Sequence, residues 1–229
     1  MISYSTIVFD AGGTLLQLNY DMLARAYLAH AESLGTLLDY SNARAVVEQL
    51  ESEIPTWQQT RKVSLEKNNG REFWDSFFTE GFRRMGIAGD VSAAATDIRE
   101  CFQRAEFEML FADVKPTLSG LATRGKTMGI LSNFSTNLED ILRRLAIHHY
   151  FEFFVVSAVA GMEKPDPRIF DLTVRAARQP RQEIVCVGDS LFHDVQGAQS
   201  AGMPAILLDR RNRYPDFAGA RMRDLHELL

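Results

Sequence analysis

Apolar positions along this chain follow two different periods. Ile7, Val8 and Phe9 form a short unbroken apolar run that stops at Asp10 and is followed by Gly12-Gly13. That pattern predicts a buried strand running into a sharp turn. From Leu18 the strand signal disappears and a helical spacing takes over. Tyr20, Leu23, Tyr27, Leu28, Ala31 and Leu34 share one face, with Gly35 as a stop, and Ala43, Val46, Val47 and Leu50 repeat the pattern up to Pro55. Glu66 to Gly70 is polar and predicts a loop. Phe73, Trp74, Phe77, Phe78, Phe82 and Met85 make the strongest stripe in the chain, and Ile98, Cys101, Phe102 and Ala105 make a fourth. A stripe this regular is expected to form the core of a helical bundle rather than to face a substrate.

Near Asp113 the pattern changes again. A short helix spans Leu118 to Arg124, and Thr127 to Leu131 reads as a strand ending in Ser132-Asn133. Leu138, Ile141, Leu142 and Leu145 predict a helix, and Phe153 to Val156 a strand. Asp166-Pro167 opens a further helix, with aspartate as cap and proline at the first helical position. Ile184 to Val187 is a strand ending in Gly188-Asp189; a helix to Gly202, a strand at Ala205 to Leu208 and a terminal helix around Leu225 and Leu229 follow. Strands alternating with helices predict an α/β fold with a parallel sheet covered on both faces. The first strand then belongs to the same sheet as the later ones. The expected organisation is a core of residues 1–16 and 111–229, interrupted by an all-helical insertion of residues 17–110. Placed just past a strand's carboxyl end, such an insertion is expected to act as a lid.

With 46% hydrophobic and 24% charged residues among 229, the chain can bury a substantial core. Its net charge of -5 argues against a general nucleic-acid binder. No apolar run approaches the roughly 20 residues of a membrane span, and the first residues lack the basic region of a secretory leader. Cys101 and Cys186 are expected to be free thiols in a reducing, cytoplasmic setting. The pattern specifies no oligomeric state.

Polar clusters fall where the predicted strands end. Asp10 closes the first and Ser132-Asn133 the second. Gly161-Met162-Glu163-Lys164-Pro165 lies beyond the third, and Gly188-Asp189-Ser190-Leu191-Phe192-His193-Asp194 follows the fourth. In open parallel sheets ligands bind just past the carboxyl ends of the strands. Asp10 is therefore placed to act as a nucleophile or as a metal ligand. Taken singly, each cluster has a plain structural explanation as a cap, a turn or a solvated loop; their shared position on one rim does not.

Together these segments resemble the haloacid dehalogenase-like hydrolase superfamily, over the whole chain. Phe9-Asp10-x-x-Gly13-Thr14-Leu15 is similar to its first signature, Ser132 to its second, Lys164 to its third, and Gly188-Asp189-Ser190-Leu191-x-x-Asp194 to its fourth. The helical insertion is similar to the cap of subfamily I. Leu131-Ser132-Asn133-Phe134 and Lys164-Pro165-Asp166-Pro167-Arg168-Ile169-Phe170 resemble the branch named for haloacid dehalogenase-like hydrolase domain-containing proteins. The resemblance implies a Rossmann-like core and an Asp10 nucleophile that forms an acyl-phosphate. It further implies that Ser132, Asn133 and Lys164 hold the transferring group of a small phosphorylated substrate. Mg²⁺ would be held by Asp10, the Gly12 carbonyl and Asp189, with Asp194 direct or one layer behind. Elementary chemistry agrees: three carboxylates facing one lysine are costly unless a cation joins them, and hard oxygen ligands suit Mg²⁺.

One position departs from the family pattern. Phosphatases of the superfamily carry a second aspartate two residues after the nucleophile as general acid and base; here that residue is Gly12. Losing a positioned acid-base group costs about 10²–10⁴ in rate. Haloacid dehalogenases and phosphonatases also lack this aspartate, but the former lack the Gly-Asp of the fourth signature and the latter need an activated lysine in the cap. The insertion's lysines, Lys62 and Lys67, lie in polar surroundings. His30 and His193 are substitutes for the proton group by elimination, with a structural role the simpler reading of each. The leading expectation is a Mg²⁺-dependent phosphatase of low or unusual activity. A catalytically impaired relative that binds a phosphorylated ligand or a protein partner is one alternative, and a hydrolytic dehalogenase the other.

Overall fold

Strand β1 (Thr6–Phe9) is buried at every position and occupies the middle of a six-stranded parallel sheet. The sheet also holds β4 (Thr127–Ser132), β5 (Phe153–Val156), β6 (Ile184–Gly188), β7 (Ala205–Leu208) and β8 (Arg221–Met222), in the order β5-β4-β1-β6-β7-β8. The computed structural model describes residues 3–58, 62–66 and 70–229. Phe9 pairs with Ile130 on one side and Val187 on the other. The carboxyl ends of β4, β1 and β6 are therefore level, and the polar residues that follow them share one edge. The chain builds outward from β1 in one direction through β4 and β5, and in the other through β6 to β8. The reversal at β1 is the point where α/β sheets open a crevice for ligands.

The chain divides into two units, residues 1–17 with 110–229, and residues 18–109. In the second, α1 (Tyr20–Ser33), α2 (Tyr40–Gln58), α3 (Arg71–Arg84) and α4 (Ser92–Gln103) surround a core in which Leu23, Tyr27, Leu50, Phe78, Phe82 and Ile98 are almost wholly buried. The aromatic stripe of α3 is packing, as its regularity predicted. Trp74 lies 4.4 Å from Phe102, and Tyr27 stacks edge-on to Phe82 at 4.7 Å. The Tyr27 hydroxyl donates to Phe78 O at 3.2 Å, over Gly81, where a Cβ would come within 2.2 Å of that hydroxyl.

Several predicted boundaries shift. Helix α2 continues through Pro55 instead of stopping there; burial of Val46, Val47 and Leu50 on the helical core outweighs the lost backbone bond. The ends of the insertion, expected to be helical, are extended. Leu16–Leu18 (β2) and Glu108–Leu110 (β3) pair as a separate two-stranded ribbon. Three-residue segments are too short to show an alternating pattern. The expected terminal helix is one 3-10 turn, Leu225–Leu228, closed by a capping box between Asp224 and Glu227, and β8 before it was not foreseen. The helix expected after Asp189 begins instead as a π-helical turn, Leu191–Gln196. The helix Pro167–Ala177 starts as its sequence predicts, the Asp166 carboxylate accepting from Arg168 N at 3.0 Å. Cys101 and Cys186 are free thiols. Among the described residues no helix is long and apolar enough to cross a membrane.

Candidate active site

Asp10 is the first residue beyond β1, and its N–H donates to Val187 O at 2.9 Å. The neighbouring strand thus fixes where this carboxylate leaves the sheet. The chain then turns back on itself, with the N–H groups of Leu15 and Leu16 both donating to Ala11 O at 2.8 Å. Gly13 has a φ of +74°, and a Cβ there would lie 2.6 Å from Asp189 Cγ. Both the backbone conformation and the close approach require glycine. Gly12 is different. Its φ is outside the left-handed region, it is exposed, and beyond its chain neighbours no atom of the described residues lies within 4 Å of a Cβ built on it.

Lys164 is 3% exposed and has three partners for its three ammonium protons. Nζ donates to Asp10 Oδ1 at 2.7 Å, to Asp194 Oδ1 at 2.5 Å and to Leu131 O at 3.0 Å. Asn133 holds the lysine's backbone from both sides. Its Nδ2 donates to Lys164 O at 2.9 Å, and its Oδ1 accepts from Lys164 N at 2.7 Å. Ser132 is buried at the end of β4, and its hydroxyl is among the groups that favour the ionised form of Asp10. The loop beyond it is fixed by Ser157, whose Oγ accepts from Phe134 N at 2.9 Å and donates to Phe134 O at 3.2 Å.

The π-helical turn brings Asp194 back toward the strand it follows. The N–H groups of Asp194 and Val195 both reach Ser190 O, while Asp194 Oδ2 accepts from Ser190 N at 2.9 Å. Gly188 makes room, since a Cβ there would meet Asp194 Cγ at 2.2 Å. π turns of this kind recur at functional sites because they redirect one side chain without ending the helix. Asp10, Asp189 and Asp194 each offer a carboxylate oxygen, and these oxygens lie within 4.8 Å of one another.

The electrostatics follow from this crowding. Burial is the largest influence on Asp10 and raises its pKa, Asp194 adds to the rise, and Lys164 opposes it. Asp189 is pushed up to about 7, by burial first and then by Asp10 and Asp194, against Arg213 and Lys164. Burial works against the Lys164 ammonium, but Asp10 and Asp194 outweigh it and hold the proton more firmly than usual. A cluster that raises Asp10 and Asp189 in this way is short of positive charge, and its all-oxygen donor set is the kind that Mg²⁺ takes.

Of the other residues singled out from the sequence, His193 borders the cluster and His30 belongs to the helical unit. His193 sits on the π turn, with Nδ1 3.1 Å from Ser190 Oγ; burial, then Lys164, lowers its pKa. His30 is on α1 with its ring edge-on to Phe82. Lys62 is exposed, and Lys67 lies outside the described residues.

Three further groups had no motif to announce them. Arg213 Nη2 donates to Asp189 Oδ2 at 3.0 Å. Asp209, one residue past β7, is buried and accepts from the N–H groups of Arg213 and Tyr214 at 2.7 and 2.9 Å. Its signal was available, because it follows an apolar strand just as Asp10 does. Arg210 forms a two-pronged pair with buried Asp113, at 2.7 and 3.0 Å, donates to Thr14 O at 2.9 Å, and lies over the Phe111 ring at 3.9 Å. Asp113 Oδ2 also accepts from Leu225 N at 2.8 Å. One buried ion pair thus joins the first-signature loop, the returning chain after β3 and the C-terminal turn.

A parallel sheet with a switch point at Asp10, and a lysine shared between two of three carboxylates, define a hydrolase of the haloacid dehalogenase type. A model of the haloacid dehalogenase-like hydrolases matches residues 4–202, and the chain belongs to that family. It is 33% identical over 140 residues to the haloacid dehalogenase-like hydrolase domain-containing protein 3 of Mus musculus, a match spanning 60% of this chain and 56% of that protein. It is 39% identical over 161 residues to the glyceraldehyde 3-phosphate phosphatase of Methanopyrus kandleri, covering 64% of this chain and 68% of the relative. Among solved structures it resembles the 2-haloacid dehalogenase of Pseudomonas syringae pv. Tomato, with a TM-score of 0.61 and 25% identity, over 98% of this chain and 96% of that one.

Proposed function

We propose that this hydrolase is a Mg²⁺-dependent phosphatase of small phosphorylated compounds, working through an acyl-phosphate on Asp10. The observation that carries the reading is the buried carboxylate of Asp10, held by Lys164 through Oδ1, with two more carboxylates within 4.8 Å. The phosphatase name of the Methanopyrus kandleri relative supports it. Asp10, the Gly12 carbonyl and Asp189 are the proposed holders of the metal, with Asp194 direct or one layer behind. When bound, the ion would neutralise charge on the transferring phosphoryl group. Residues 18–109 are the proposed cap, from which substrate selectivity would come.

The roles of the chain's own residues follow from the geometry. Lys164 fixes Asp10 Oδ1 and favours the ionised form that burial opposes, so Oδ2 is the attacking oxygen. As the Asp10 oxygen–phosphorus bond forms, the bond from phosphorus to the leaving oxygen breaks, and that oxygen keeps the electron pair. Ser132 and Asn133 orient the group from the end of β4; Asn133 does so by holding Lys164. Water then attacks phosphorus, the bond to Asp10 breaks, and the carboxylate and inorganic phosphate are released. A leaving alkoxide must also gain a proton and the attacking water must lose one. Gly12 supplies neither service, so substrates with good leaving groups should react best and the second step should be slow.

An aryl phosphate assay tests this directly. Release of the phenol with Mg²⁺, its loss in chelator and its loss in Asp10→Asn are expected. Halide release from a 2-haloacid in chelator, without phosphatase activity, would instead identify a dehalogenase. Mg²⁺ binding with no turnover of either substrate would mark a binding protein that has lost its chemistry.

A further inference from the structure

We propose that Arg213 is a built-in counter-cation of the metal site, which competes with the divalent ion for Asp189 and so sets how tightly the ion binds. This rests on the metal reading above and goes beyond it, to a residue outside all four signatures. Arg213 Nη2 donates to Asp189 Oδ2 at 3.0 Å, and its side chain remains 36% exposed. The guanidinium is delivered there by scaffold rather than by chance. The side chain of Asp209 is fully buried at the end of β7 and accepts from the N–H groups of Arg213 and Tyr214 and from Arg221 Nη1. Arg221 Nη1 also donates to Tyr214 O at 2.8 Å, closing the same loop from its other side.

Charge bookkeeping makes the consequence specific. Asp10, Asp189 and Asp194 face Lys164, whose protons are taken by Asp10, Asp194 and Leu131 O. Asp189 is the carboxylate that Lys164 does not bond, and it is the one Arg213 covers. A unit positive charge sharing a carboxylate with a divalent cation, in a water-like dielectric, costs that cation about tenfold in affinity. The guanidinium therefore lets the carboxylates coexist before the ion arrives, and it weakens the ion's hold afterwards.

Calorimetric titration with Mg²⁺ alone tests this on the full chain and on Arg213→Gln, Arg213→Lys and Asp189→Asn. Arg213→Gln should bind Mg²⁺ about tenfold more tightly than the parent, and the gap should shrink as salt screens the exposed guanidinium. Arg213→Lys, which keeps the charge, should stay within about threefold of the parent. An Arg213→Gln affinity equal to or weaker than the parent's would overturn the proposal, and so would Arg213→Lys behaving like Arg213→Gln. The Asp189→Asn arm separates two kinds of failure. If that variant loses Mg²⁺ while Arg213→Gln is unchanged, only the role of Arg213 falls. If Asp189→Asn binds as the parent does, the metal assignment falls and this proposal falls with it.

Discussion

Replacing Gly12 by aspartate returns a carboxylate to the position from which the family's phosphatases move protons. The structure bears on whether the chain would accept it. Gly12 does not use the left-handed backbone, and among the described residues nothing beyond its chain neighbours lies within 4 Å of the new Cβ. Its neighbour Gly13 could not be changed in this way, with a φ of +74° and Asp189 Cγ at 2.6 Å. Removing a glycine where the backbone permits it stabilises a fold by about 0.4–1 kcal/mol through the unfolded chain. Part of that gain would be offset by a fourth negative charge beside Asp10, Asp189 and Asp194, less so with Mg²⁺ present. The fold of Gly12→Asp should therefore survive. The chemical gain sits in the second half-reaction, where a positioned base is worth at least about 10² in rate, or about 2.7 kcal/mol. Rapid mixing with an aryl phosphate separates the two steps. The parent should show a burst of phenol equal to the enzyme concentration and then a slow steady rate. Gly12→Asp should raise the steady rate about a hundredfold and shrink or abolish the burst. A parent already as fast as the variant, with no burst, would refute the reasoning, because some other group would then be supplying the base.

The remaining expectations concern stability and metal. Asp113→Asn should destabilise the protein by about 3–5 kcal/mol in chemical denaturation, because it leaves the guanidinium of Arg210 without its charge partner. Burial raises the pKa of Asp113, but the bonds from Arg210 and Leu225 N outweigh it and hold the group below its ordinary 3.8. Its contribution is thus complete above that value and is lost as pH falls through the lower folded value. Asp113→Asn should flatten this acid limb, and an unchanged limb would reject the assignment. Mg²⁺ at a hundred times its dissociation constant should stabilise the fold by about 2.7 kcal/mol, and hence raise Tm by about 5–10 °C; the rise should vanish in Asp189→Asn. Gly13→Ala should lose more than about 1 kcal/mol of stability and most of its Mg²⁺ affinity, since the new methyl displaces Asp189; a variant with parental calorimetry would contradict the close approach.

The grouping of Asp10, Lys164, Asp189 and Asp194 was legible because a parallel sheet turns a one-dimensional pattern into a place. Each strand ends where its apolar run stops, and level ends bring Asp10, Ser132 and Asp189 to one edge. Asp209 obeys the same rule after Ile206 to Leu208, but no signature surrounds it to single it out. Arg213 and the Arg210–Asp113 pair were illegible for a different reason. Their partners lie 24 and 97 residues away in sequence, and neither pairing leaves a periodic trace. Strands β2, β3 and β8 are two or three residues long, below the length at which alternation can be told from chance. The course of α2 through Pro55 shows packing overriding a local rule.

The place of β1 in the sheet bears on how the proposed nucleophile moves. Ile7, Val8 and Phe9 are each no more than 1% exposed and are bonded to strands on both flanks. Amides in such a strand exchange with deuterium only when the whole domain opens, whereas loop amides exchange through local excursions. Asp10 is rooted in this slowest layer, and its own N–H is tied to Val187 O. Asp194 and Arg213 stand instead on the π turn after β6 and on the loop after β7. In a hydrogen-exchange experiment the amides of residues 7–10 should therefore exchange after those of the loop that carries Arg213. The proposed attacking oxygen thus has a root in the sheet that stays still while loop amides around it exchange.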